Sequence, residues 1–450
     1  MSTSSQISRR QFLQYAGLTA ASTLLAACQS TAPQATNPPV GIPSAAAFMS
    51  IPAIIKPRKV TIQIDGWAVP VTSQLLAKPL FVDFTRQSGI EIEFVPRTNT
   101  KQDELNRLAA AVQSGTSPYD IIDFEDELTT SFSRAGYMAP LNDLLSADFW
   151  DDFPPAMKAY SDEWSTYQGE LFRVVHNWEM PYWWYRKDWF DQMGIAIPTT
   201  WDEVRAMGTA FTNENRGVWA SEDGLVKGGY LNVYLAWITL QAGGNPYNVD
   251  DKYKMALEYI YDLLYTDKVL NPASLQKRID QQNADYLANK VAFMRQWPFF
   301  YDISHSPENA AWFAEEKVAV ALPPVGPGGK QNSTYAASWG FGIVKTAPEL
   351  DAAEEVFKFL ISPEVAVEMA LISVWYVSAR KSILAVMGDS GVAKMMNMYT
   401  NGGVIGVRPF HPRFFEAITI LEDTAAAYLT RQITLDQSMN KAKEQLAKLT

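Results

Sequence analysis

Apolar and polar residues alternate along two short stretches near the start of the folded part of the chain. Residues 60–64 (VTIQI) and 90–94 (IEIEF) both place an apolar side chain at every second position. This spacing is typical of strands with one buried face, while helical spacing lies between and after them. The stretch 119–122 (YDII) then predicts a third, buried strand. Strand, helix, strand, helix, strand in this order indicates a parallel α/β unit.

The second half of the chain has a mostly helical pattern, interrupted by short strands. Apolar residues at helical spacing predict helices over 201–211, 231–240, 254–265 and 435–446. Short apolar runs predict strands at 291–294, 318–321 and 341–344. A chain of 450 residues is long enough for two domains. The pattern therefore predicts an α/β protein with more than one lobe.

The first 57 residues do not share this folded pattern. Residues 8–13 (SRRQFL) precede a short apolar run that ends in LAAC at 25–28. A charged start, a short apolar run and small residues before a cut are typical of a secretory signal, and the run is too short to cross a bilayer. The paired arginines resemble a twin-arginine export signal. The LAAC ending resembles a lipoprotein cleavage box, which predicts a signal peptide over 1–27 and a lipid on Cys28.

Composition narrows the classes of partner. Residues 28–57 are rich in Ser, Thr, Ala and Pro, which predicts a flexible tether between the anchor and the folded part. The chain has 38 basic and 49 acidic residues and a net charge of −11, which becomes −13 without the two arginines of the signal. This balance argues against nucleic acid as a partner. Three histidines and one cysteine argue against a transition-metal site, and we expect no cofactor.

The expected location of the protein is the outer face of the cell membrane, in a periplasm or at the cell surface.

Residues 178–189 (WEMPYWWYRKDW) contain four tryptophans and two tyrosines, with Glu179 among them. Aromatic faces at this density are costly to leave in water. They indicate either a core strand or a surface that holds a flat, partly polar ligand. Because strand side chains alternate, we expect two of the three residues Trp183, Trp184 and Tyr185 to lie in the core.

Several segments, in order along the chain, resemble the family-1 extracellular solute-binding proteins of ATP-binding-cassette sugar importers, which are similar to maltose-binding protein. They are 120–145 (DIIDFEDELTTSFSRAGYMAPLNDLL), 183–204 (WWYRKDWFDQMGIAIPTTWDEV), 288–300 (ANKVAFMRQWPFF), 338–364 (SWGFGIVKTAPELDAAEEVFKFLISPE) and 408–417 (RPFHPRFFEA). The resemblance implies a type II periplasmic-binding-protein fold. In that fold two discontinuous α/β lobes are joined by crossing strands, and the ligand lies in the cleft between them.

The resemblance also implies lobe boundaries. Crossings are expected near 174–182, 338–344 and 375–381. Lobe one is then 58–178 plus 340–375, and lobe two is 179–338 plus 380–450.

By the same resemblance, Glu179 is the main polar contact and Trp297 the main stacking platform for a ligand. Aromatic rings stack on the C–H faces of a sugar, and carboxylates accept hydrogen bonds from its hydroxyl edge. Further contacts are implied at Asp65, Trp67, Phe124, Glu125, Glu127, Tyr230, Asn232, Tyr234, Trp339, Trp375, Arg408 and Phe414. At 124 a phenylalanine replaces the tryptophan that is more common in the family.

The implied function is a lipid-anchored receptor that binds a small oligosaccharide and delivers it to the permease of an importer, without enzyme activity or catalytic residues. Two alternatives stay open from the residues themselves. The same scaffold also suits a polyamine, a peptide or an organic anion, since a polyamine receptor likewise uses tryptophans and acids. An exported glycoside hydrolase with two carboxylates is the other alternative. Turnover of a sugar identifies the hydrolase, and an amine ligand identifies the polyamine receptor.

Overall fold

The computed structural model describes residues 58–97, 101–309, 311, 317–388, 390–402, 404–407 and 409–449. The predicted signal peptide, the tether, Cys28 and Arg408 lie outside these residues.

The described chain is a mixture of helices and strands. The helices are α1 Val69–Thr72, α2 Pro79–Ser88, α3 Lys101–Ser114, α4 Thr129–Arg134, α5 Pro155–Trp164, α6 Lys187–Met193, α7 Trp201–Phe211, α8 Tyr230–Gln241, α9 Asp251–Tyr265, α10 Ile279–Leu287, α11 Phe300–Ser304, α12 Leu350–Leu360, α13 Pro363–Ile372, α14 Lys381–Met387, α15 Gly391–Gly402, α16 Phe414–Leu429 and α17 Leu435–Leu446. The strands are β1 Arg58–Asp65, β2 Ile90–Arg97, β3 Ile121–Glu125, β4 Thr166–Tyr167, β5 Glu170–Leu171, β6 Val174–Val175, β7 Tyr182–Arg186, β8 Trp219–Ser221, β9 Val291–Gln296, β10 Val318–Ala321, β11 Ser333–Ala336, β12 Trp339–Ile343 and β13 Val404–Val407. Within the described part of the chain, no helix combines the length and the apolar character that a membrane span requires.

The first sheet has five strands in the order β2-β1-β3-β12-β6. β1 runs parallel to both β2 and β3, and β12 runs antiparallel to β3 and β6. This confirms the parallel unit that alternation predicts at the start of the folded chain. Pro79 does not interrupt a helix here; it lies at the start of α2, where its missing N–H costs nothing. α2 ends at Gly89, whose φ of 69° suits a residue without a side chain.

The second sheet has four strands in the order β10-β7-β9-β8, mostly antiparallel, with β8 parallel to β9. The aromatic segment supplies its strand β7. Trp183 stacks on Phe293 with ring centroids 4.3 Å apart, and on the opposite face Trp184 donates to the Gln296 carbonyl at 3.1 Å. Both indoles are buried. Most of this aromatic density is therefore core packing, as strand alternation predicts.

One chain segment, 176–181, leads from β6 in the first sheet to β7 in the second, and two others pack beside it: 337–338 between β11 and β12, and 373–379 between α13 and α14. They lie side by side, because Glu179 and Ala337 exchange two backbone hydrogen bonds of 2.9 Å. The Trp178 amide donates to the Val377 carbonyl at 3.2 Å. We call these three stretches the crossing segments. Just after the third, Arg380 and Ser382 both bond the Asp152 carboxylate, which ties that end to the first-sheet side.

The second crossing segment is held by a buried polar network. Arg173 donates to both the carbonyl and the hydroxyl of Ser338, at 2.8 and 2.9 Å. The Ser338 hydroxyl also bonds Tyr160, whose own hydroxyl donates to Asp126. Burial, together with the charge of Asp126, raises the pKa of Tyr160 well above its usual value, so it stays a donor. This network fixes Ser338 to the first sheet.

The largest hydrophobic cluster does not stop at one sheet. It runs from the first sheet past the crossing segments to Tyr182, Trp184 and Met294 on one face of the second sheet. A second cluster packs the other face of that sheet against α7, α8, α9, α16 and α17. Apolar packing therefore holds the crossing region together as well as each sheet.

Candidate functional site

Strand register brings several predicted residues to one edge of the first sheet. Parallel strands end at the same edge, and Asp65 at the end of β1 is paired in register with Arg97 at the end of β2. β12 runs the opposite way, so its first residue, Trp339, is paired with Glu125 at the end of β3. These four residues therefore share the edge from which the crossing segments depart.

The second sheet presents a matching edge. Tyr182 at the start of β7 pairs with Gln296 at the end of β9, so Trp297 follows directly at that edge. β8 is parallel to β9, which brings Asp223, two residues beyond Ser221, to the same place. The first crossing segment leads from one edge to the other. We call the space between these two edges the interlobe cleft.

Aromatic rings connect the two sides of the interlobe cleft. Trp67, in the loop after β1, lies 4.9 Å from Trp375 and 6.1 Å from Phe299, measured between ring centroids. Trp375 in turn lies 4.9 Å from Trp339. Trp67 remains 47% exposed, whereas Trp339 and Trp375 are buried. An exposed indole backed by buried rings is a ready platform for a flat ligand.

Trp375 is held in place from the second lobe. The Asp302 carboxylate accepts a hydrogen bond from the Ser373 hydroxyl at 2.6 Å and one from the Val374 amide at 3.1 Å. The Trp375 indole N–H is buried and finds no hydrogen-bond acceptor among the described side chains and backbone. Phe299, two residues after Trp297, was missed at the sequence level, because its role comes from its distance to Trp67.

Charged groups accompany these rings on the first-lobe side. The Arg97 guanidinium lies 4.6 Å from the centre of the Trp339 ring and 3.4 Å from the Asp65 carboxylate. Burial raises the pKa of Asp65; Arg97 opposes this shift, and the charge of Glu125 adds to it. Asp65 and Glu125 therefore lie within electrostatic range of each other.

On the second-lobe side, a buried glutamate fixes the start of α8. Glu422 accepts backbone hydrogen bonds from Gly228 at 2.8 Å and from Gly229 and Asn232 at 2.9 Å. A carboxylate is favoured at a helix N-terminus by the unpaired amides and the helix dipole. Gly228 and Gly229 both have φ of 106°, a conformation that residues with side chains rarely adopt. The first turn of α8 thus has a fixed position.

That first turn carries Tyr230 and Asn232. Burial raises the pKa of Tyr230, the charge of Arg278 lowers it, and the charges of Glu125 and Asp65 raise it. The Tyr230 hydroxyl is therefore within electrostatic range of both first-lobe carboxylates, across the interlobe cleft. The side-chain carbonyl of buried Asn232 has no donor within the described part of the chain.

Trp297 lies beside a buried ion pair. Arg295 donates two hydrogen bonds to Asp223, at 2.9 and 2.7 Å, and both side chains are almost fully buried. The guanidinium lies 5.9 Å from the Trp297 ring and 6.0 Å from the ring of buried Tyr234. Burial raises the pKa of Asp223 to about 6 despite the neighbouring Arg295. Asp223 and Glu422 were both missed, since their partners are distant in sequence.

Glu179 lies at the centre of the first crossing segment and is largely buried. Its backbone pairs with Ala337, so the residue stands where both sheet edges meet. Glu127 is also buried, in the turn that follows β3. Glu127 thus follows the edge of the first sheet at which Glu125 lies.

Two predicted contacts lie in the hydrophobic core instead. Phe124 alternates with Glu125 along β3, so its ring points away and packs 5.2 Å from Phe132. Phe414 is buried 5.9 Å from the ring of Trp164. Arg408 lies outside the described residues.

Comparisons with known proteins agree with this architecture. The family model described as bacterial extracellular solute-binding protein matches residues 67–367. The maltose-bound MalE3 protein of T. maritima is 21% identical, with a TM-score of 0.73, over 87% of this chain and 100% of that one. A solute-binding protein of an ABC transporter from Thermotoga lettingae, bound with α-D-tagatose, is 18% identical, with a TM-score of 0.74. The match covers 87% of this chain and 99% of that one.

A third similar structure is an ABC transporter solute-binding protein from Agrobacterium vitis with bound D-mannitol. It is 19% identical, with a TM-score of 0.67, over 87% of this chain and 98% of that one. At these identities the likeness shows the fold, which confirms the two-lobed type II periplasmic-binding architecture expected from the sequence. The match to the family model over residues 67–367 confirms the resemblance of the sequence to extracellular solute-binding proteins.

Proposed function

Because the chain belongs to the bacterial extracellular solute-binding protein family, which serves ABC transporters, we propose that its solute is a carbohydrate or polyol held in the interlobe cleft. The observation that carries this proposal is the half-exposed indole of Trp67, which lies next to the rings of Trp375 and Phe299. A sugar ring offers C–H faces to such rings and hydroxyl groups to the carboxylates beside them.

Polar groups suited to hydroxyls lie on both sides of the interlobe cleft. Asp65 and Glu125 supply acceptors from the first lobe, and Tyr230 supplies a hydroxyl from the second. The buried carbonyl of Asn232 and the indole N–H of Trp375 add one acceptor and one donor that described residues leave unused. A polyol that donates and accepts at every carbon complements this mixture better than an apolar ligand does.

The solutes of similar proteins support the same class. The similar structures hold maltose, tagatose and mannitol, which are a disaccharide, a ketose and an open-chain polyol. The identities of 18–21% are too low to carry over any one of them. The proposal is therefore a hydroxyl-rich solute, with a small oligosaccharide as the first choice.

Binding would proceed without chemistry. Solute contacts one lobe, the lobes close about the crossing segments, and the closed form delivers the solute to the permease. As lobe one we propose 58–178 with 340–375, and as lobe two 179–338 with the C-terminal part. Residues 380–387 go to lobe one in this proposal, since Arg380 and Ser382 bond Asp152.

Export and membrane anchoring belong to the proposal as well. The family is extracellular, which supports the predicted signal peptide over 1–27. The lipid would be carried by Cys28, followed by the 28–57 tether. We expect Cys28→Ala to move the protein from the membrane fraction to the soluble exported fraction. If the variant stays in the membrane fraction, Cys28 is not the anchor.

The experiment on the solute is a thermal-shift screen with mono-, di- and trisaccharides, polyols and the polyamine spermidine. We expect a stabilising shift with at least one hydroxyl-rich compound, and its recovery unchanged after incubation. A shift with spermidine alone favours the amine receptor, and a cleaved sugar favours the hydrolase.

The variant Trp297→Ala locates the site. We expect it to abolish the solute-dependent melting shift, because the stacking ring of the second lobe is lost. Trp189→Ala is the matched control: Trp189 follows the far end of β7 and rests on Arg186, 4.5 Å away. A full shift in Trp297→Ala would remove Trp297 from the site.

A further inference from the structure

A small cavity lies within the second lobe, among strands β7, β8 and β9 and helices α7, α8 and α9. It offers room for about one water molecule. Arg295, Asp223, Gln241 and Trp237 all line it, and all four are buried. Arg295 and Asp223 also belong to the edge of the second sheet that borders the interlobe cleft.

Three of the residues around this cavity have buried hydrogen-bond donors left over. Arg295 gives its Nε and Nη2 to Asp223, and its Nη1 meets no acceptor in the described chain. The side-chain carbonyl of Gln241 accepts a hydrogen bond from the Trp201 indole at 2.8 Å, while its Nε2 has no acceptor among the described residues. The Nε1 of Trp237 is the third such donor.

Unmet donors of this kind are costly. A buried N–H without an acceptor costs about 1–3 kcal/mol, and native proteins contain few of them. Here three such donors belong to residues around a single water-sized space. Every one of them is an N–H group, so the space calls for a hydrogen-bond acceptor.

We propose that this cavity binds one water molecule, which accepts hydrogen bonds from Arg295 Nη1 and from a second N–H of the cavity wall. Its own protons have acceptors at hand, since Asp223 and Ser221 also line the space. A halide ion would satisfy the donors too. However, Arg295 and Asp223 already neutralise each other, so an anion would add an uncompensated charge to a buried site.

The bound water has a consequence for the interlobe cleft. It completes the hydrogen bonding of the guanidinium that lies 5.9 Å from the Trp297 ring. Gln241 and Trp237 thereby become positioning residues for Trp297. The water site itself does not depend on which solute the protein binds.

The direct test is a crystal structure that resolves ordered solvent, from crystals soaked in bromide. We expect one solvent peak within about 3 Å of Arg295 Nη1 and a second cavity N–H, without anomalous signal from bromine. A bromine signal there would show an anion site. A structure with no density in the cavity would equally overturn the proposal.

The variant Gln241→Glu sharpens the distinction between water and anion. It keeps the oxygen that accepts from Trp201 and exchanges the spare donor for an acceptor of nearly the same shape. A water molecule can turn and donate to the new oxygen, so we expect the solvent peak to remain. Loss of the peak would contradict water, because only an anion is expelled by the added carboxylate.

A binding measurement tests the positioning role. We expect Trp237→Phe to weaken binding of the solute found in the thermal-shift screen about threefold or more. The control Tyr253→Phe also removes a buried polar group without a described partner, but Tyr253 does not line the cavity, and affinity should not change. Equal affinity in both variants would remove the positioning role. If no screened compound binds, the proposed solute class fails, while the solvent peak still decides the water site.

Discussion

The two edges of the interlobe cleft are built from the same parts in different surroundings. Each has an aspartate close to a strand end, an arginine on the neighbouring strand and an indole beside the guanidinium. In the first lobe the Arg97 and Asp65 side chains are 9% and 31% exposed and approach to 3.4 Å. In the second lobe Arg295 and Asp223 are 2% and 1% exposed and form two short hydrogen bonds.

This difference in exposure predicts a structural role for one ion pair and a ligand-binding role for the other. A pair fully removed from water must keep both partners, because either charge alone is costly to bury. A partly exposed pair is worth little to stability and can exchange its contacts with a ligand. We therefore expect the second-lobe pair to hold the fold and the first-lobe pair to face the solute.

The largest expected effect is on stability, from Arg295→Met. Removing the guanidinium leaves the Asp223 carboxylate buried and unpaired, which costs about 3–5 kcal/mol. Urea unfolding measures this loss, and the double variant Arg295→Met with Asp223→Leu should recover most of it. Arg97→Met is the matched first-lobe control, with an expected loss below about 1 kcal/mol. Equal losses of unfolding free energy in Arg295→Met and Arg97→Met would contradict the different roles assigned to the two ion pairs.

The next effect is on affinity, from Trp67→Ala. The indole is 47% exposed, so its removal should leave the free energy of unfolding nearly unchanged. Loss of one stacking face should weaken solute binding roughly tenfold, or about 1.4 kcal/mol. Isothermal titration with the best compound of the screen measures both the affinity and the stoichiometry. An unchanged dissociation constant would place the solute away from the first-lobe edge.

The smallest effect is a dependence of stability on pH. Burial raises the pKa of Asp223 to about 6, above its value in the unfolded chain. The folded protein therefore takes up a proton that the unfolded chain does not, as the pH falls through 6. Relative to the Arg295→Met, Asp223→Leu variant, the wild type should gain stability between pH 7 and pH 5. A constant difference between the two proteins over this range would contradict the raised pKa.

The sequence predicts the first-lobe edge better than the second. The family resemblance singles out Asp65, Trp67 and Glu125, and the sequence pattern places them at or just after the ends of the first and third strands, which a parallel sheet brings together. Phe124 shows the limit of this reasoning, because a shift of one position along a strand turns a side chain from the cleft to the core.

The second-lobe edge depends on contacts between distant parts of the chain. Glu422 caps a helix that begins almost two hundred positions earlier in the chain. Asp223 and Arg295, which form the ion pair, are 72 positions apart. No local pattern marks either residue. Trp297 was found only through the family resemblance, whereas Phe299 needed the structure, since its role comes from its distance to Trp67.

The most direct test of a receptor that holds a polyol between its lobes is a crystal structure with the compound that gives the largest melting shift. We expect density for one intact molecule in the interlobe cleft, in contact with Trp67 and Trp297 and hydrogen-bonded to Asp65 or Glu179. Density for a cleaved product, or a solute bound outside the space between the two sheet edges, would contradict it.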